Sequence, residues 1–299
     1  MSWRKRLALG TVQFGLAYGV SHQGGRVPAE EARNILELAA LSGVDMLDTA
    51  AVYGESEDVL GRIAGQESPF SIATKTQPVR AETIDDAATE RIEAAFRDSL
   101  RRLRRNKVYA LLVHGAGDVL NPGGERLWAR LESLRAEGLV GKIGISIYDR
   151  AEIDDALSRY PIEIVQAPLN AFDQRLLADG GLARAAEKGV EVHVRSVFLQ
   201  GLLLMTPEAA AAKLPQAAER LRFWRDALAE AGVSPLAAAL GFALSAAPVD
   251  RIVIGVHSAA HLAECLAAAE APPALEYGRF ACNDADVIDP RRWPQTRPS

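Results

Sequence analysis

One rhythm constrains this chain more than any other feature. Eight short apolar segments recur along it: Leu7–Thr11, Asp45–Leu47, Phe70–Thr74, Val108–Val113, Lys142–Ile145, Glu163–Gln166, Val190–Val194 and Arg251–Ile254. Between them lie stretches whose apolar residues keep helical spacing, such as Ala32, Ile35, Leu36, Ala39 and Ala40 behind Pro28. Helices are expected over Glu55–Ile63, Thr83–Leu103, Glu125–Glu137, Ala151–Leu157, Leu176–Glu187, Leu214–Ala231, Ser234–Ala247 and from Ser258 onward. Strands joined by helical crossovers must run parallel, and parallel strands need both faces covered. Eight such units in 299 residues predict a closed (β/α)8 barrel, an α/β TIM barrel forming one domain over 1–299, with an irregular tail from about residue 272. An open doubly wound sheet would want a G-x-G-x-x-G turn after the first strand. Gly10 to Gly19 is too long and too aromatic for that turn.

Composition removes several function classes. A net charge of −5 gives no reason to expect nucleic acid as a partner. The basic run Arg97 to Lys107 is interrupted by Ser99, Leu100 and Leu103 at helical spacing and reads as a solvated helix face. Val197–Met205 is too short for a membrane span, and the charged start Met-Ser-Trp-Arg-Lys-Arg lacks the apolar run of a signal peptide. Two cysteines, Cys265 and Cys282, make no disulfide framework and suggest a reducing, cytoplasmic setting. The five histidines (His22, His114, His193, His257, His261) show no metal-ligand spacing with carboxylates, so no metal is expected. His193 alternates with Val192 and Val194 and reads as an inward, hydrogen-bonded core histidine.

In a barrel of this type the reacting groups sit at the C-terminal strand ends. Four titratable residue types fall there. Asp48 and Tyr53 follow the second segment, Lys75 closes the third, and His114 closes the fourth. Singly, each has an ordinary explanation: a loop cap, a packed phenol, a surface lysine, a core imidazole. Together they form a proton donor. An ammonium beside the phenol is expected to lower its pKa, a carboxylate to keep that ammonium charged, and an imidazole to orient a carbonyl oxygen. None of the four supplies electrons, so a reductant must come from a cofactor.

The segment Asp48-Thr49-Ala50-Ala51-Val52-Tyr53-Gly54, the following Ser56-Glu57, the Thr-Lys end at Lys75, the strand end at His114 and the opening Leu9-Gly10-Thr11-x-x-Phe14-Gly15 together resemble the aldo-keto reductase family. The resemblance runs from Leu7 to about Ala269. It implies hydride transfer between NADP(H) and an aldehyde, ketone or alcohol. Tyr53 would be the general acid, Lys75 and Asp48 would tune it, and His114 would orient the substrate.

The same resemblance implies a cofactor site. Ser146 and Gln166 match residues that hold the nicotinamide carboxamide, whereas Ile147 stands where the family has Asn. Arg195 stands where an aromatic would stack under the ring, followed by Ser196, Phe198, Gln200 and Gly201. A guanidinium can stack on a ring but can also repel an oxidised one. Around the eighth strand the matching positions are Gly255, His257, Ser258, His261 and Glu264. Glu264 would take the adenine amino group, and the helix start would take a phosphate. His257 and His261 replace the family's fixed cations, so NADP(H) is preferred only modestly over NAD(H).

Phe14, Tyr18 and Val52 are the expected substrate-binding residues, with Ala116 nearby. The short loop Gly115–Gly124 suggests an open mouth for polar, sugar-like aldehydes. Two other readings stay open: an aldolase or lyase with Lys75 as Schiff-base amine, and a nicotinamide-binding module with little turnover.

Overall fold

The computed structural model describes residues 2–21, 24–66 and 68–294; His22 lies outside the described residues. Eight parallel strands close into a barrel in the order β1 to β8. They are β1 Leu7–Gly10, β2 Met46–Asp48, β3 Ser71–Lys75, β4 Val108–Val113, β5 Val140–Ser146, β6 Ile164–Pro168, β7 Glu191–Arg195 and β8 Arg251–Gly255. Closure comes from β1 pairing with β8, with Leu7 opposite Ile252 and Gly10 opposite Gly255.

The two strand faces separate cleanly. One parity (Leu7 and Leu9, Leu47, Ile72, Leu111 and Val113, Val165, Val192 and Val194, Ile252 and Ile254) belongs to the large core between strands and helices. The other parity packs in small clusters inside the barrel, around Ala73, Ala110, Leu112 and Ile164, and around Ala8, Met46 and Val253. A two-residue period puts Asp48, Lys75, Ser146, Gln166 and Arg195 on that inner parity, at its upper end.

Most expected helices form within a residue or three. Asp85 caps Asp86–Leu103 by accepting from the Ala88 amide, and Ser234 caps Pro235–Ser245 by accepting from Ala237. Two expected helices are broken. Leu176–Glu187 divides into Arg175–Ala178 and Gly181–Glu187, because Gly180 adopts φ +76° between them. Leu214–Ala231 begins as a short 3-10 turn at Pro215–Ala217 and becomes α-helical only over Ala218–Glu230. The described part of the chain after the last barrel helix packs back on the barrel. The Cys282 amide donates to the Phe172 carbonyl, and Val287, Ile288 and Trp293 are buried. Cys265 and Cys282 are free and buried. Among the described residues no single helix is long and apolar enough to cross a membrane, and no group of three His, Cys, Asp or Glu side chains is placed to hold a metal.

Candidate active site

The loop after β2 is tied down before it carries any chemistry. Thr11 donates its hydroxyl to the Asp48 carbonyl at 3.0 Å, and Ser56 donates to the Thr11 carbonyl at 2.8 Å. Glu57, almost fully buried, accepts from the Thr74 hydroxyl at 2.7 Å and from Arg102 at 2.6 and 3.0 Å. That ion pair fixes the start of the helix Ser56–Ile63 against β3 and the helix Asp86–Leu103. Gly15 and Gly54 complete the arrangement. A Cβ on Gly15 would overlap the Tyr53 carbonyl oxygen, and Gly54 turns at φ +56° against the Gly15 carbonyl. The recurrent small and acidic residues around Tyr53 therefore serve its placement.

Held this way, the four expected residues meet at the barrel mouth. Lys75, 2% exposed, donates to Asp48 Oδ2 at 2.7 Å and to the Thr49 carbonyl at 3.0 Å. Its Nζ lies 5.2 Å from the centre of the Tyr53 ring. The His114 ring stands edge-on to Tyr53, with centres 6.0 Å apart and planes at 85°. The His114 Nδ1 is buried and has no hydrogen-bond partner among the described residues.

The electrostatics correct one expectation. Tyr53 is not pulled toward the phenolate. Burial, and then the Asp48 charge, raise its pKa above that of a free phenol, with Arg195 opposing. Burial also lowers Lys75 below an ordinary lysine, a shift that Asp48 resists. His114 is lowered to about 4 by burial and by the charges of Lys75 and Arg195. At neutral pH the site therefore presents a protonated phenol beside a neutral imidazole, the two hydrogen-bonding groups an incipient alkoxide needs.

A cavity of about 850 Å³ opens over these groups. Its walls include Tyr18, Val52, Arg80, Asp118, Asn121 and Tyr148. Phe14, expected to touch substrate, instead lies fully buried in the core between strands and helices and is absent from the cavity wall. Its aromatic side chain packs the β1 turn, which the following glycine lets approach Tyr53.

Of the expected cofactor residues, Ser146, Arg195, Ser196, Phe198, Gln200, Gly201, Gly255, His257 and His261 line the same cavity. Ser258 lies behind it as the N-cap of the helix Ala259–Glu270, accepting from the His261 amide at 3.0 Å, and Glu264 is exposed outside the wall. Gln166 is wholly buried. Its Nε2 donates to Asp48 Oδ1 at 2.7 Å, while its Oε1 has no partner among the described residues. Arg195 reaches across to β5, 3.5 Å from the Ser146 hydroxyl and 3.3 Å from the Ile147 carbonyl. The loop after β7 holds Ser196, Leu199, Gln200 and Gly201 at positive φ, a concentration of left-handed backbone that only a committed shape sustains. The Val20 amide bridges to this loop by donating to the Gln200 carbonyl at 2.9 Å.

The structure adds partners that the sequence did not suggest. The guanidinium carbons of Arg195 and Arg291 lie 4.4 and 3.5 Å from the centre of the Tyr148 ring. Asp289 orients Arg291 through paired hydrogen bonds, so the tail contributes to the cavity wall. Neither Tyr148 nor Arg291 carries a local motif; only the return of the tail across the barrel mouth brings them together.

Comparison with known proteins concerns the chain as a whole. A description of the Aldo/keto reductase family matches residues 6–276. An uncharacterized oxidoreductase of Mycobacterium tuberculosis is 31% identical over 166 residues, which cover 52% of this chain and 46% of that protein. The match thus spans about half the length of that relative. The uncharacterized oxidoreductase YtbE of Bacillus subtilis is 25% identical over 198 residues, 66% of this chain and 68% of that protein. Among solved structures, the holo form of aldo-keto reductase AKR11C1 from Bacillus halodurans superposes with a TM-score of 0.75 at 24% identity, covering 96% of this chain and 95% of that one. The glycerol dehydrogenase AKR11B4 from Gluconobacter oxydans gives 0.68 at 20% identity, covering 98% and 94%. At these identities the structural likeness speaks for the fold.

Proposed function

This chain belongs to the aldo/keto reductase family, and on that premise we propose that it reduces small polar aldehydes or ketones, reversibly, with a nicotinamide dinucleotide as hydride source. The observation that carries the reading is the buried Lys75–Asp48 pair at 2.7 Å beneath Tyr53, with neutral His114 edge-on to the phenol. Tyr53 hands its proton to the carbonyl oxygen as negative charge gathers there. Its raised pKa keeps that proton available throughout the neutral range. His114 fixes the carbonyl oxygen by hydrogen bonding, and Lys75, anchored on Asp48 and the Thr49 carbonyl, stabilises the phenolate left behind.

The residues present suit a nicotinamide dinucleotide. Its chemistry, when bound, is hydride donation to the carbonyl carbon. The buried Gln166 Oε1, without a partner among the described residues, is an acceptor suited to a carboxamide N–H, and Ser146 and Arg195 are donors suited to a carboxamide oxygen. Arg195 in this role supplies the donor that Ile147 lacks. A polar wall (Tyr18, Arg80, Asp118, Asn121) supports a hydroxylated substrate rather than a bulky apolar ketone. The two buried free thiols fit a reducing compartment such as the cytoplasm. The Schiff-base alternative loses support because the Lys75 amine is engaged by Asp48 and Thr49.

The test is a purified protein assayed with reduced nicotinamide dinucleotides against a panel running from glyceraldehyde to bulky aryl ketones. Loss of nicotinamide absorbance that depends on the small polar aldehydes is expected. Turnover of the bulky ketones alone would contradict the substrate class, and no turnover with any carbonyl would contradict reduction.

A further inference from the structure

Behind the cavity wall at β8, the start of a helix is already engaged by a carboxylate from a neighbouring helix. The helix Ala259–Glu270 begins there, with His257 and His261 in the cavity wall. A helix start without acidic residues in its first turn is ordinarily attractive to a phosphate. Here the protein has already filled it. The carboxylate of Glu31, from the neighbouring helix Ala29–Leu41, accepts from the Ala259 amide at 2.6 Å. Its second oxygen accepts from Asn34 at 3.3 Å, which holds the carboxylate in place. Ser258 takes the His261 amide.

The cations are also wrong for a dianion. The cavity's lysine and arginines lie elsewhere among the described residues: Lys75 bonded to Asp48, Arg80 on the loop after β3, Arg195 at the end of β7 and bonded to the Ile147 carbonyl, and Arg291 stacked on Tyr148. Only the two histidines remain, with rings 6.1 Å apart and nearly parallel. Burial lowers the pKa of His261, with the Glu264 charge opposing, so it is neutral where a fixed cation would be needed.

We propose that Glu31 is a cofactor-specificity residue: its carboxylate at the start of the β8 helix excludes a 2′-phosphate, and the protein takes the dinucleotide that has free ribose hydroxyls, NAD(H). This rests on the nicotinamide reading above and reverses the modest sequence preference for NADP(H). A ribose hydroxyl can donate to a carboxylate, whereas a phosphate placed there meets like charge in a partly desolvated corner.

The experiment is calorimetric titration of the full chain with NADH and with NADPH, repeated on Glu31→Gln and on His261→Arg. Gln keeps an oxygen to accept from the Ala259 amide, and thermal unfolding checks that both variants fold. The wild type is expected to bind NADH at least about tenfold more tightly than NADPH. Glu31→Gln should tighten NADPH about tenfold and weaken NADH a few-fold, so that the selectivity ratio falls from both sides. His261→Arg, which adds a fixed cation, should move NADPH in the same direction. A wild-type preference for NADPH, or a selectivity ratio unmoved by both substitutions, overturns the assignment while leaving the reductase intact. No binding of either dinucleotide overturns the proposed function itself, and this assignment with it.

Discussion

The barrel holds the same four kinds of side chain twice. At the upper end are Asp48, Tyr53, Lys75 and His114. At the lower end are Glu191, Tyr109, Lys142 and His193. In the lower set Tyr109 and Lys142 each donate to Glu191 Oε2 at 2.6 Å, and His193 Nε2 lies 2.8 Å from Oε1. Lys142 sits 5.3 Å from the Tyr109 ring centre, almost the spacing of Lys75 over Tyr53. Yet the two lysines are shifted in opposite directions. Burial pulls Lys142 down, but its bonds to Glu191 and Tyr109 outweigh that and leave its pKa raised. Glu191, despite burial, is brought to about 2 by His193, Lys142 and Tyr109. Every polarity there is answered by a neighbour. At the upper end burial wins over Asp48, Lys75 is lowered, and the His114 Nδ1, on a residue of the cavity wall, has no hydrogen-bond partner among the described residues. Residue types alone do not make a reactive site; unanswered polar atoms facing a ligand-sized space do.

The contrast can be broken most forcefully by removing the phenols. Tyr53→Phe is expected to lower kcat/KM by about 10² to 10⁴ with little change in thermal stability, because it removes the proposed general acid. Tyr109→Phe should leave kcat/KM within about twofold and cost about 1 to 2 kcal/mol of stability, the loss of one charged-acceptor hydrogen bond. Steady-state kinetics and denaturant unfolding on both variants decide it.

Removing the amines comes next. Lys75→Met strands the buried Asp48 carboxylate and should cost about 3 to 5 kcal/mol in addition to activity. Lys142 is partly exposed, with two further groups still holding Glu191, so Lys142→Met should cost about 1 kcal/mol with activity kept.

Acid separates the ends in a gentler way. His114 is held near 4, below the ordinary 6.5. The unfolded chain therefore binds more protons between those values, and stability falls as pH drops through that window. Glu191 is held near 2, below the ordinary 4.5, so the stability it contributes is full above 4.5 and lost as pH falls toward 2. His114→Gln should flatten the first limb of a stability-versus-pH curve, and Glu191→Gln the second.

The smallest effect concerns the tail. Arg291→Ala removes one of the two guanidiniums packed on Tyr148 and should raise the cofactor or substrate KM about two- to fivefold with kcat nearly unchanged.

Much of this was legible in the chain. The eight strands are short apolar runs whose period survives in the fold, and the upper constellation follows from its positions at strand ends. Phe14 was misplaced because an aromatic after a glycine-rich turn looks the same whether it faces a cavity or the core. The phenol's pKa was misjudged because sequence shows the neighbouring lysine but not the depth of burial, which dominates. Glu31, Tyr148 and Arg291 were invisible for a different reason: each acts through a contact between elements far apart in the chain. The lower cluster shows why His193 reads correctly as a satisfied core histidine, since Glu191 two residues away on the same strand face is its partner.

The most direct measurement follows the hydride. The protein is mixed with reduced dinucleotide deuterated at the transferable ring position and with a small polar aldehyde, and the alcohol is examined by mass spectrometry. Deuterium on the former carbonyl carbon is expected with the wild type and with Tyr109→Phe, and at a rate lower by about 10² or more with Tyr53→Phe. An unlabelled alcohol, or label transfer by Tyr53→Phe as fast as by the wild type, would contradict a reductase built on the upper cluster.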